Sequence, residues 1–266
     1  MTNETINHFR EDLKAGRICI GPGVSFSDPL VSDALGDSVD FIWIDLEHGG
    51  MSPEALSAHL LACRARGVPG IVRLPGGGAS LVKPALDSGA DGIIVPQVRT
   101  VEEVRQLVDD CRYPPSGHRG FGPRVPSAYF RHASEEFVAR ANESVFVAVM
   151  IETAEAYKAI GEIVSIPGLD SVVIGSADLS WSLGARGDME DPRVVKAFDT
   201  IIKTARAAGR FVGCGMGPDP NFAFRMAQRG AQWLQVGVDC AILIQGFDQI
   251  RATFNHLWDR RQAGVK

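Results

Sequence analysis

Residues 41–74 read FIWIDLEHGGMSPEALSAHLLACRARGVPGIVRL: an apolar run, a helix-length amphipathic segment and a second apolar run. Phe41 to Leu46 and Gly70 to Leu74 are apolar almost throughout, which suits parallel strands covered on both faces better than the alternation of a half-exposed sheet. Between them, Ser52 and Pro53 match an N-cap and first helical residue. Leu56, Leu60 and Cys63 fall on one face, and Gly67 supplies the stop. The stretch is a β-α-β unit.

The same unit recurs in both directions. Apolar runs at Ile18 to Val24, Gly92 to Val98, Val145 to Ile151, Ser171 to Gly175, Phe211 to Met216 and Trp233 to Val238 bring the expected strands to eight. Thr100 and Glu103 form a capping box ahead of Val104, Leu107 and Val108. Asp191 and Pro192 open a helix carrying Val195, Phe198, Ile202 and Ala205 and stopping at Gly209; another runs from Asn221 to Gly230. With no linker or composition break, residues 1–266 read as a single α/β domain, a (β/α)8 TIM barrel. A doubly wound sheet is disfavoured, because the turn Gly21-Pro-Gly-Val-Ser-Phe26 lacks the G-x-G-x-x-G pattern. Two segments stand out from the repeat: a Pro/Gly/Arg-rich loop at about 113–131, of lid-like or contact-forming character, and a C-terminal helix at about 247–260.

Composition narrows the ligand. The 266 residues are 45% hydrophobic and 22% charged with a net charge of −5, and no run of five or more like charges occurs. That excludes disorder and gives no footprint for nucleic acid or an anionic membrane, so a small molecule is the expected partner. Met1 to Lys14 lacks an apolar core and does not read as a signal peptide, and no apolar run is long enough to span a bilayer. The 5 cysteines are scattered without a C-x-x-C pair, as expected of reduced thiols in a cytoplasmic protein.

In such a barrel the chemistry belongs at the C-terminal ends of the strands. Those positions hold Asp45, Glu47 and His48, then Arg73, Gln97, Glu152 and the run Ser176 to Asp178. Glu152 and Asp178 follow adjacent strands about 4.8 Å apart, near enough to share one hard cation of the Mg²⁺ or Mn²⁺ type. Two other readings stay open: Glu152 as an acid at a helix start, and Asp178 as the cap of a short helix over Leu179 to Leu183. Arg73 ends an apolar strand and needs an anionic partner, either a structural acid or a bound carboxylate or enolate. His48 is the one histidine at an expected strand top, where it can pass protons. The other five are assigned to surface or packing roles. Every lysine falls on an expected helix or at a terminus, which argues against a Schiff-base mechanism. What remains suits Lewis-acid polarisation of a carbonyl.

Six segments in order carry a resemblance: Trp43 to His48, Val72 to Pro75, Gly89 to Pro96, Arg112 to Gly120, Ile151 to Thr153 and Gly175 to Ser180. Through them nearly the whole chain resembles the HpcH/HpaI family of metal-dependent (class II) pyruvate aldolases, carbon–carbon lyases. The resemblance implies a divalent cation (Mg²⁺, Mn²⁺ or Co²⁺) held by Glu152 and Asp178, with Asp45 and Glu47 holding the waters around it. It implies reversible cleavage of 4-hydroxy-2-oxo acids to pyruvate, or a related 2-oxo acid, and an aldehyde through a metal-stabilised enolate. Arg73 would neutralise the forming charge, His48 would act as base, and the N–H groups of Ser176 and Ala177 would bind the substrate carboxylate. The acid that pairs with His48 matches Asp87, which ends a helix at the opposite face and so would have to come from a neighbouring subunit. A homo-hexamer, a trimer of dimers with exchanged C-terminal helices, is implied as well.

Two departures concern the substrate. Met150 stands where many relatives have glutamine, and Ser176 where they have proline. Met150 is expected to face the interior with Glu152 and make the pocket less polar. Alternatives on the same cation site are an oxaloacetate decarboxylase or an enolate-condensing synthase, for which Arg119, Arg124 and Arg131 of the long loop would recognise an anionic acceptor. Phosphate chemistry would instead use glycine nests at Gly76 to Gly78, Gly213 to Gly217 and Gly237.

Overall fold

In the computed structural model, which describes residues 4–262, eight parallel strands close into a barrel in sequence order, β1 pairing with β8. In chain order the elements are α1 (Glu4–Lys14), β1 (Cys19–Val24), α2 (Leu30–Leu35), β2 (Ile42–Asp45), α3 (Pro53–Arg66), β3 (Gly70–Arg73) and α4 (Ala79–Asp87). Then come β4 (Gly92–Val95), α5 (Val101–Asp110), α6 (Glu135–Ser144), β5 (Phe146–Ile151), α7 (Ala154–Lys158), α8 (Ile160–Ile163) and β6 (Ser171–Gly175). The chain ends with α9 (Ser176–Ser182), α10 (Pro192–Ala207), β7 (Phe211–Met216), α11 (Pro220–Arg229), β8 (Trp233–Val238) and α12 (Asp239–Gln262). This is the (β/α)8 TIM barrel that the strand count predicts.

The strand runs are as expected, with a single residue trimmed at five of the sixteen strand ends. The largest trim is β4, expected to reach Val98 but ending at Val95, because Pro96 has no N–H to donate and Gln97 turns the backbone to φ 56°. The caps are also as read: Ser52 accepts the N–H of Ala55, and Thr100 and Glu103 form the full capping box. In α10 the buried face is Val194, Ala197, Phe198, Ile201, Ile202 and Ala205, so Val195 lies just off it.

Two apolar layers form. One lies between strands and helices; the other fills the barrel with Phe41, Trp43, Ile71, Phe146, Met150, Val173 and Trp233. Helix α1 closes the N-terminal end of that second layer. Its Ile6, Phe9 and Leu13 are buried, and the Phe9 ring stands edge-on to Phe41 at 5.6 Å and Phe146 at 5.7 Å. Gly213, expected in a nest, is a strand residue whose missing Cβ makes room for the Trp233 ring.

Two outlying segments require correction. The loop at 113–131 connects the end of α5 to α6 and runs under the N-terminal end of the barrel, where Val125 donates to the Asp87 carbonyl and Arg119 to the Asp87 side chain. An αβ connection always lies at that end, so within one subunit the loop is no lid over the strand C-termini, and Arg119, Arg124 and Arg131 do not face its mouth. The C-terminal helix is longer than expected, leaving β8 directly at Asp239 and continuing through Gly246 to Gln262.

Candidate active site

The C-terminal ends of β2 and β3 bring the first charged cluster together. Asp45 and Arg73 are register partners on adjacent strands. The Arg73 guanidinium donates through Nε (2.9 Å) and Nη2 (2.5 Å) to the two Asp45 oxygens, and its Nη1 lies 3.0 Å from Glu47 Oε2. Asp45 is buried and also accepts the backbone N–H groups of Glu47 and His48, which bends the chain over the barrel mouth. Trp43, two residues before Asp45 and on the same face, places its ring 5.4 Å under the guanidinium. The structural partner for Arg73 is therefore present, and the cation still lines the cavity.

Glu152 follows β5 and is buried. Thr153 caps α7, and Glu152 stands just ahead of that cap, at a helix start as the sequence reading had it. Its Oε1 accepts the Gln97 N–H at 2.6 Å, a donor aimed by the left-handed turn at that residue. Burial, together with the negative charge of Asp178 and Glu47, pushes the Glu152 carboxyl up to about 7, against the opposing pull of the Gln97 N–H and Arg73. Burial likewise raises the Glu47 carboxyl, with Asp45 and Asp178 adding to it and Arg73 opposing. Gly175 faces Glu152: a Cβ there would run into its carboxylate and into Met150, which points inward as expected.

Helix α9 begins at Ser176, earlier than expected, so Asp178 sits inside the first turn and is not its cap. Gly175 occupies the cap position and offers no side-chain acceptor, leaving the N–H groups of Ser176 and Ala177 at a helix start beside the cavity. Ser176 Oγ donates to the Gly215 carbonyl. The cavity measures about 490 Å³ and is lined by Trp43, Arg73, Met150 and Gly175 to Asp178, with β7, β8 and α11 residues opposite.

The cluster unites Asp45, Glu47, Arg73, Glu152 and Asp178, and leaves two sequence-derived residues apart. His48 stands exposed on the rim, its Nε2 3.7 Å from Glu47 Oε2. Asp87 closes α4 at the other end of the barrel, held by Lys83 (2.5 Å) and Arg119 (2.8 Å). Sequence reading also missed Trp43, although its i, i+2 spacing from Asp45 places both on the interior face. Met216, Phe222 and Arg225 line the cavity from β7 and α11 with no motif to announce them.

The donor chemistry fits a hard divalent cation. Two carboxylates in mutual repulsion, one of them buried, leave negative charge short of compensation. Among the described residues no group of three or more His, Cys, Asp or Glu converges as ligands, so Glu152 and Asp178 would be the protein's share and the remaining positions would be open.

A family model described as HpcH/HpaI aldolase/citrate lyase matches residues 24–246. The chain belongs to that family. Among its relatives, the hydroxypyruvate/pyruvate aldolase of Roseovarius nubinhibens is 33% identical over 240 residues, covering 90% of this chain and 93% of that protein. The 2-keto-3-deoxy-L-rhamnonate aldolase of Escherichia coli K12 is 34% identical over 249 residues, 93% of each chain. A crystal structure of an HpcH/HpaI aldolase/citrate lyase family protein from Burkholderia cenocepacia J2315 superposes with a TM-score of 0.86 at 28% identity, covering 94% of this chain and 99% of that one. An aldolase or lyase enzyme is the class these relatives support.

Proposed function

We propose that this protein is a divalent-cation-dependent aldolase that reversibly cleaves 4-hydroxy-2-oxo acids to pyruvate, or a related 2-oxo acid, and an aldehyde. The observation that carries the reading is the electrostatic coupling of the buried Glu152 carboxylate to Asp178, Glu47 and Arg73, of which Asp178 and Arg73 line the cavity. Glu152 and Asp178 would hold Mg²⁺, Mn²⁺ or Co²⁺, which supplies positive charge to the keto and carboxylate oxygens of the substrate. The N–H groups of Ser176 and Ala177 orient the substrate carboxylate at the α9 start. In cleavage, a base takes the proton of the 4-hydroxyl, the C3–C4 bond breaks, and its electron pair passes to C3 and the C2 oxygen. Arg73 offsets that developing charge. Proton return to C3 completes pyruvate, and addition is the same path reversed.

We assign the base to His48, at the rim where the hydroxyl would lie, with Asp87 of a second copy as its partner. Asp45 and Glu47 fix Arg73 and would hold waters around the cation. The apolar residues exposed along α12, Leu243, Ile244, Phe247, Ile250, Phe254 and Leu257, support a homo-oligomer with exchanged C-terminal helices, for which a hexamer is our reading. The absence of any membrane-crossing helix among the described residues and the five free cysteines agree with a cytoplasmic setting.

EDTA should abolish cleavage of a 4-hydroxy-2-oxo acid, and Mg²⁺, Mn²⁺ or Co²⁺ should restore it. Full activity in chelator would exclude the cation role. Oxaloacetate decarboxylation outpacing aldol cleavage by the same preparation would move the assignment to the decarboxylase alternative.

A further inference from the structure

We infer that the acceptor side of this cavity selects aldehydes with an apolar chain or ring over hydroxylated or carboxylate-bearing ones. The inference rests on the aldolase reading and deepens it. Arg73, Ser176, Ala177 and Asp178 line the cavity and account for the 2-oxo acid. The remaining lining includes Met189, Met216, Pro218, Phe222 and Val238 with Met150, alongside Asp219, Arg225 and Gln235. Three of the chain's 6 methionines thus converge on one space. Their thioether chains are flexible and polarisable, suited to closing around apolar shapes of differing outline.

Each polar side chain on that wall has a partner within the chain for part of its hydrogen-bonding capacity. Asp219 caps α11, accepting the N–H groups of Asn221 (2.9 Å) and Phe222 (3.1 Å). Arg225 lies over the Phe222 ring at 5.4 Å and pairs with Glu190 at 3.4 Å. Gln235 donates its amide to the Gly237 carbonyl. A hydroxylated acceptor would surrender water to a wall built chiefly of methionine, phenylalanine, proline and valine, whereas an apolar acceptor gains from the same desolvation. A hydrophobic wall discriminates by modest factors, so the expected preference is on the order of ten- to a hundredfold in kcat/KM.

The test uses the Mg²⁺-loaded protein with pyruvate as donor and compares isobutyraldehyde and benzaldehyde with glyceraldehyde and succinic semialdehyde. Exchange of the pyruvate C3 protons in D2O, followed by NMR, needs no acceptor and reports the donor side alone. The apolar aldehydes should lead, and Met216→Gln and Met189→Gln should shrink their lead when each variant's rates are divided by its own exchange rate. Equal use of all four aldehydes, or no change of ratio in either variant, overturns the inference while exchange keeps the aldolase reading. A preference for succinic semialdehyde that Arg225→Gln removes overturns it in favour of an anionic acceptor. No exchange with any of the three cations removes the aldolase reading and this inference with it.

Discussion

Arg73 holds two carboxylates with one guanidinium, and that fork is what a point charge fails to reproduce. Arg73→Lys keeps the charge but loses the paired contact to Asp45, and kcat/KM should fall on the order of a hundredfold with the circular dichroism unchanged. Arg73→Ala goes further, leaving the buried Asp45 carboxylate without its partner. Urea unfolding should show a loss of about 3–5 kcal/mol, as for other buried pairs broken on one side. Gly175 tests the other half of the site. Its alanine variant pushes a methyl into the Glu152 carboxylate and Met150. The cation concentration for half-maximal activity should rise at least about tenfold, with substrate KM at saturating cation moving less. An unchanged cation requirement would take Glu152 out of the ligand set.

At the level of elements, α1 and the starts of β3, β4 and β5 are tied through Asp91, whose carboxylate accepts the N–H of Gly70 (3.0 Å) and the hydroxyl of Thr5 (3.3 Å). Burial pushes the Asp91 carboxyl from 3.8 up to about 7, with both hydrogen bonds and Arg64 opposing. The folded chain therefore keeps a proton that the unfolded chain has released between these values. The stability Asp91 contributes is complete at the acid end, is lost as pH rises towards 7, and changes no further above it. Asp91→Asn can accept from Gly70 and donate to Thr5, so thermal melts from pH 5 to 8 should show a shallower decline than the parent; parallel curves would refute the assignment. The order of elements and their caps were legible in sequence because each rests on local signals: apolar runs, Ser52-Pro53, Thr100 with Glu103. Helix α1 went unread, although Ile6, Phe9 and Leu13 stand at helical spacing, because its polar residues mask a stripe only three side chains wide. The long loop misled because Pro, Gly and Arg content reports an irregular segment and not the barrel end it occupies. Asp178 and Glu152 admit helix-start and ligand readings alike in sequence; the structure removes only the capping role of Asp178, because α9 starts at Ser176. The acceptor wall was invisible, since Met216, Phe222 and Arg225 meet only when β7 and α11 fold over the mouth.

For the whole molecule the decisive question is whether the proposed His48–Asp87 pair forms between copies. One chain places them at opposite ends of its barrel, His48 on the rim beside Glu47 and Asp87 between Lys83 and Arg119. A closed barrel filled by Trp43, Phe146 and Trp233 offers no path between those ends. A His48–Asp87 pair therefore requires the N-terminal face of one copy to sit against the mouth of another, the arrangement of a ring or other closed assembly. The consequence is testable by complementation. His48→Ala and Asp87→Asn should each lose most activity alone. Coexpressed in equal amounts and copurified through different tags, they should recover it in part, because a site combining an intact His48 from one variant with an intact Asp87 from the other reappears. Random assembly places such a site at about a quarter of the positions, so recovery to about a quarter of parental kcat is expected with KM unchanged. If Asp87 serves its own chain, mixing restores nothing; if it serves only to anchor Lys83 and Arg119, Asp87→Asn loses stability and keeps its activity.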